Sequence, residues 1–172
     1  MKKMLAAVLA GGALLTAGTP ALAQTSAQAG AQTTAKTTLG PYGYGKVRLG
    51  MSEKQAKATR QIVLKMPSED GLCSGWDLRA HPSGKNAVGL YISKKKGVAV
   101  ISAPKGVKTP EGIGIGSTMK QIEKAYPNVR TPEDGYPSVR VPGNRKAYYA
   151  FLLEKGKVHD LLIGLNSQDC TN

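Results

Sequence analysis

The stretch Gly50-Met51-Ser52-Glu53-Lys54-Gln55-Ala56 decides how this chain is read, because a close copy follows 66 residues on: Gly116-Ser117-Thr118-Met119-Lys120-Gln121-Ile122. An alternating apolar run precedes each copy, Val47 and Leu49 in the first case, Ile113 and Ile115 in the second. The glycine lets the backbone turn sharply, since no Cβ restricts its torsions. Ser52 and Thr118 then stand where a helix N-cap is wanted, with a side-chain oxygen able to accept from an orphaned N–H of the first turn. Gln55 and Gln121 lie three residues further on and complete two S/T-x-x-Q capping boxes. Neither copy has the glycine and lysine spacing of a phosphate-binding loop, so the motif reads as architecture: strand, corner, helix. Two copies predict a duplicated supersecondary unit, too few for a solenoid.

Downstream of each corner the pattern turns to strands. Residues 88–93 and 98–102 alternate and flank Lys94-Lys95-Lys96-Gly97, a solvated hairpin turn. Residues 148–154 and 158–165 flank a second basic hairpin, Lys155-Gly156-Lys157. Leu161, Ile163 and Leu165 share one strand face and are assigned to the core. Residues 71–80 and 138–141 each offer a further strand. Pro127 ends the second helix, because its ring cannot sit inside one; the first helix has no such stop and can extend through Gln61. The expected fold is α+β, two tandem helix-plus-antiparallel-sheet units with the helices packed on β-hairpins. The units span about 45–104 and 112–170 within a single domain of residues 39–172.

Ahead of that domain, residues 1–23 read as a secretory signal peptide. Lys2 and Lys3 form its charged start, residues 5–15 its apolar core, and Ala21-Leu22-Ala23 the small-residue cleavage pattern before Gln24. A membrane anchor needs about 20 continuous apolar residues. Gly11, Gly12, Gly18 and Pro20 interrupt this run, so no transmembrane segment is expected in the mature form. Residues 24–38 are Gln, Thr, Ser, Ala and Gly with Lys36 as the sole charge, a composition with nothing to bury, and are expected to be a disordered leader. The reading is of a protein secreted after cleavage near Ala23.

Charge and cysteines bound the partners. The formal charge is +13, and loss of Lys2 and Lys3 with the signal peptide lowers it to +11. Such an excess suits anionic wall polymer, nucleic acid or an acidic protein surface. The charges are scattered, Phe and Trp occur once each, and no aromatic-and-basic run is present, which disfavours specific nucleic-acid binding. Cys73 and Cys170 are the only cysteines, and an even count in an exported chain favours a disulfide. Two Cys and two His without clustered spacing do not match a zinc pattern, so no metal or cofactor is expected.

The strand–Gly–[Met/Ser]–[Ser/Thr]–x–x–Gln–helix opening, duplicated in an exported chain and followed by antiparallel strands, resembles the tandem repeat of the β-lactamase inhibitory protein family. It is also similar to the small outer-membrane assembly lipoproteins of the BamE/SmpA type, which carry one such unit. The resemblance covers residues 47–59 and 113–126 best. It departs from the inhibitor pattern in having one cysteine per half, so that any bridge joins the halves, and in its scarcity of aromatic residues. None of the inhibitor's target-contacting residues aligns here.

No catalytic set is evident. His81 precedes Pro82, His159 lies on a strand beside Asp160, no G-x-S-x-G occurs, and Ser74 adjoins a cysteine. Glu69-Asp70 and Glu133-Asp134 lie in Pro/Gly-flanked turns. The expectation is therefore a non-enzymatic binding protein, a protein–protein interaction module or an inhibitor of an exported enzyme. The alternative is a basic cell-envelope protein held on anionic wall polymer. Candidate interface anchors are Tyr42, Tyr44, Trp76, Tyr136 and Tyr149, since Tyr and Trp are enriched at interface hot spots; Tyr148, also considered, is read as core or sheet-edge packing.

Overall fold

Strands carry most of the ordered backbone in the computed structural model, which describes residues 38–133 and 135–171. The expected signal peptide over 1–23 and the expected leader over 24–38 lie outside the described residues, Thr38 excepted, as does Asp134. A three-stranded antiparallel sheet is built from β1 (Leu39–Gly40), β2 (Gly43–Tyr44) and β3 (Val47–Arg48). Helix α1 (Glu53–Ala58) leads into β4 (Ile62–Met66), β5 (Cys73–Leu78), β6 (Leu90–Ser93) and β7 (Gly97–Ser102). Helix α2 (Met119–Ala125) leads into β8 (Ser138–Val141), β9 (Asn144–Glu154) and β10 (Lys157–Leu165). These seven strands form one antiparallel sheet in the order β4-β5-β6-β7-β10-β9-β8.

The expected α+β fold of two helix-on-hairpin units is corrected by this arrangement. The described residues are mostly β, and the two helices among them have only six and seven residues. The first helix stops well before Gln61 because the chain turns against it: Thr59 Oγ1 donates to Ala56 O at 2.6 Å, and Arg60 adopts φ 59°. The second ends at its Tyr126 C-cap, with Pro127 beyond. The hairpins do not form separate layers either, since β7 and β10 pair side by side, Ile101 opposite Ile163, and close all seven strands into a single sheet.

Alternation places Trp76, Leu90, Phe151, Leu161 and Ile163 on one sheet face. They join a single core with Leu39, Val47, Ala56 and Ile122 from the small sheet and the two helices. Each of the large ones contributes roughly 1.5–3 kcal/mol by leaving water. Tyr149 O–H donates to Leu39 O at 2.8 Å and fastens the small sheet down.

The two corners are bonded alike. Gly50 N–H donates to Val98 O at 2.9 Å and Val98 N–H to Met51 O at 2.7 Å. Gly116 N–H donates to Val158 O at 2.7 Å and Val158 N–H to Ser117 O at 2.8 Å. Both glycines take positive φ, 80° and 90°, where a Cβ would be strained. Ser52 Oγ and Thr118 Oγ1 each accept from the N–H of the glutamine three residues on, and each glutamine side chain returns a bond to the cap backbone. Cys73 and Cys170 form a disulfide, with Cα atoms 5.7 Å apart. Among the described residues no helix is long and apolar enough to cross a membrane.

Candidate functional site

One face of the seven-stranded sheet carries the core; the other carries an apolar row that stands outside it. The row runs Tyr91, Val100, Gly164, Tyr148 and Arg140 across β6, β7, β10, β9 and β8, each opposite the next. A second row beside it runs Ser102, Leu162, Ala150 and Ser138. Tyr91, Tyr148, Leu152 and Leu162 are half-buried and absent from the core cluster. A Cβ added to Gly164 would come within 2.9 Å of the Tyr148 ring, so the ring lies across the glycine. Burial pushes the Tyr148 hydroxyl above its usual range, while a hydrogen bond with Gln168 acts in the opposite direction. The result is a face on which half-buried tyrosines and leucines surround the buried Val100, Ala150 and Gly164, with an exposed arginine at one end.

The five candidate anchors are scattered. Tyr42 and Tyr136 are 56% and 58% exposed, and Tyr42 O–H donates to Gly143 O at 3.2 Å. Tyr44 is half-buried, its hydroxyl 3.1 Å from His81 Nε2. Trp76 lies in the core, its indole N–H donating to Ser74 Oγ at 2.8 Å. Tyr149 is only 1% exposed and is not a surface anchor. Its neighbour Tyr148 is half-buried on the opposite face, because adjacent strand residues point to opposite sides. No hydrogen bond or ring contact joins any two of the five among the described residues.

The most densely bonded polar cluster lies at the other end of the sheet. The bulge in β4 between Leu64 and Met66 turns out Lys65, whose Nζ donates to Asp77 Oδ2 at 3.1 Å, Ser83 O at 3.1 Å and Gly84 O at 2.8 Å. Asp77 Oδ1 accepts from Ser83 Oγ and from Gly89 N–H at 3.2 Å. Burial pushes the Asp77 carboxyl up, but the bonds from Ser83, Lys65 and Gly89 and the Lys65 charge outweigh it and hold the group below the usual carboxylate range. Ser83 Oγ stands 2.7 Å from Lys65 Nζ, a serine–lysine approach that would activate a nucleophile only if the amine could accept a proton. Here the amine is ion-paired and donates to carbonyls, so the cluster acts as a clamp on the loop between β5 and β6.

The two histidines do come together. His81, His159 and Asp160 line one cleft of about 430 Å³. A bulge in β10 between Val158 and Asp160 breaks the alternation expected there. Burial raises the Asp160 carboxyl, against the opposing pull of the Leu161 N–H and the His159 charge. Cys73, Asp169 and Cys170 form a cluster of potential ligand atoms, but its two sulfurs are spent in the disulfide.

No protein-family model matches the chain, and no curated protein matches it. Among solved structures the chain is similar to the uncharacterized protein yfeY from Escherichia coli, with a TM-score of 0.49 and 15% sequence identity over 76% of this chain and 100% of that one.

Proposed function

We propose that the chain is an exported, non-catalytic module that binds a partner protein through the open face of its seven-stranded sheet. The observation that carries this reading is the set of half-buried Tyr91, Tyr148, Leu152 and Leu162 on the sheet face that the core cluster leaves out. Tyrosine presents a large contact area at small entropic cost, and interface centres are rich in it. Positions on a hydrogen-bonded sheet lose little freedom on docking. The signal peptide, the paired cysteines and the likeness of the capped corners to the inhibitor family support an exported binding protein. The matching hydrogen bonds at Gly50 and Gly116 support descent from two copies of one capped corner.

A second reading rests on charge: at +11, the mature chain is also suited to anionic wall polymer. One experiment separates the two. The secreted protein and its Tyr148→Ser/Leu162→Asp variant are immobilised and exposed to culture medium and cell-wall extract. The sheet-face reading expects a protein that survives a high-salt wash on the native chain and is at least about tenfold depleted on the variant. Material that salt removes equally from both supports the polymer reading instead, since exposed charge pairs are screened.

A further inference from the structure

We propose that the cleft on the helix-bearing side of the sheet binds an acidic protein segment presenting an apolar side chain. The cleft, of about 660 Å³, lies between α1 and the loop joining β4 to β5, and its mouth is the turn joining β6 to β7. Its size falls in the range of small-ligand and peptide-tip sites. It is separate from the open face: Trp76 and Ile92 line it, while their strand neighbours Gly75 and Tyr91 belong to the opposite side.

Two chemistries meet in it. Leu64 and Leu72 line its walls and are each 49% exposed, apolar area left in water beside an indole. At the mouth stand Lys57, Lys94, Lys95 and Lys96, all exposed, against a single lining carboxylate, Glu53, which is already 3.5 Å from Lys57 Nζ. The lysine turn is held in place. Ser93 Oγ accepts from Lys95 N–H at 3.1 Å and Lys96 N–H at 3.0 Å. Lys94 N–H donates to Leu72 O at 2.8 Å, and Leu72 N–H donates to Asp70 Oδ1 at 2.8 Å. The cationic mouth and the apolar wall are therefore one hydrogen-bonded piece, next to the Cys73–Cys170 bridge. Such preorganisation lowers the entropic cost of binding.

The pairing of the two halves selects the occupant. A uniform polyanion would engage the lysines and leave the exposed Leu64 and Leu72 without a partner. A segment with carboxylates flanking a leucine or phenylalanine engages both, the charges setting approach and register while the apolar tip fills the cleft. Addition of a strand to the outer edge of β4 is a poor route in, because its bulge and the inward-bonded Lys65 blunt that edge.

Trp76 is the only tryptophan in the chain, so its fluorescence reports on this cleft alone. The secreted protein is titrated at near-physiological salt with a synthetic hexapeptide, a Leu-Phe core with two Asp on each side; hexa-aspartate and polyphosphate are the controls. The expected result is a saturable change in Trp76 emission with the hexapeptide and none with the controls. Affinity falls about tenfold or more in Lys94→Glu/Lys95→Glu/Lys96→Glu and in Leu72→Ser, and is unchanged in Tyr148→Ser/Leu162→Asp. All substituted cleft positions are exposed, and unchanged melting of each variant establishes that it folds. No saturable response to the hexapeptide overturns the proposal. So does equal binding of hexa-aspartate or polyphosphate, which would make the mouth a polyanion surface.

Discussion

Asp77 and Asp160 are both carboxylates drawn away from water, and their surroundings move them in opposite directions. At Asp77 hydrogen bonds and the Lys65 ion pair prevail over burial and lower the folded value. Its contribution to stability is therefore complete above the unfolded value of about 3.9 and is lost as the pH falls through the folded one. At Asp160 burial prevails and raises the folded value. Its favourable contribution is then complete below the unfolded value and is lost as the pH rises through the folded one, so the charged group opposes folding at neutral pH. Asp160→Asn, which keeps an acceptor for the Leu161 N–H, is expected to stabilise the protein at neutral pH and to lose that gain below about pH 4. Asp77→Asn is expected to cost about 2–3 kcal/mol at neutral pH, by leaving Lys65 without its counter-ion. Urea denaturation of the two variants at both pH values checks the opposite signs. Neither behaviour was legible in the sequence, because Asp77 meets Lys65 across a strand pair and Ser83 from a loop. The sides taken by Tyr148 and Tyr149 were not legible for a related reason: the chain shows that they face opposite ways but not which way is inward.

The helices are short enough that their caps matter disproportionately. Each has six or seven residues, and in each one side-chain oxygen and one glutamine satisfy two of the otherwise orphaned first-turn donors. Ser52→Ala and Thr118→Ala are each expected to cost about 1 kcal/mol, with glycine costing less. The sites lie in different helices, so the double variant should lose their sum to within about 0.5 kcal/mol, measured by chemical denaturation with the disulfide intact. Unequal losses would count against a common origin of the two corners. These elements were readable because a cap is a local device, spelled within four residues. The basic hairpins were readable for the same reason: Lys155 and Gly156 take φ of 51° and 75°, as a tight primed turn requires. Strands β1 and β2 were not, since two-residue pairings rich in glycine carry no alternation to detect, whereas β3 was announced by Val47 and Leu49. Strand β4 was not read, because its burial follows no simple period of two across the bulge.

At the scale of the molecule, the decisive contact is the pairing of β7 with β10, whose partners lie some sixty residues apart in sequence. Nothing local announces it, and it turns two expected hairpin layers into one sheet with an open face. The apolar cleft was out of reach for the same reason: Trp76, Leu72 and the lysine turn were each visible, but only the sheet brings them together. The disulfide closes a covalent loop with a sequence separation of 97. Replacing Cys73 and Cys170 by serine is expected to cost about 2–5 kcal/mol, read as a lowered denaturation midpoint against the oxidised protein. The same bridge also governs how the molecule bears tension. A pull on the tail beyond Cys170 passes through the sulfurs into β5 and bypasses β10, an interior strand of the sheet. While the bridge holds, the enclosed span cannot pay out, and on the order of 330 Å of extensible chain stays locked. Reduction would transfer the load to β10 and release that length, making the thiol state of the surroundings the setting for the molecule's mechanical compliance.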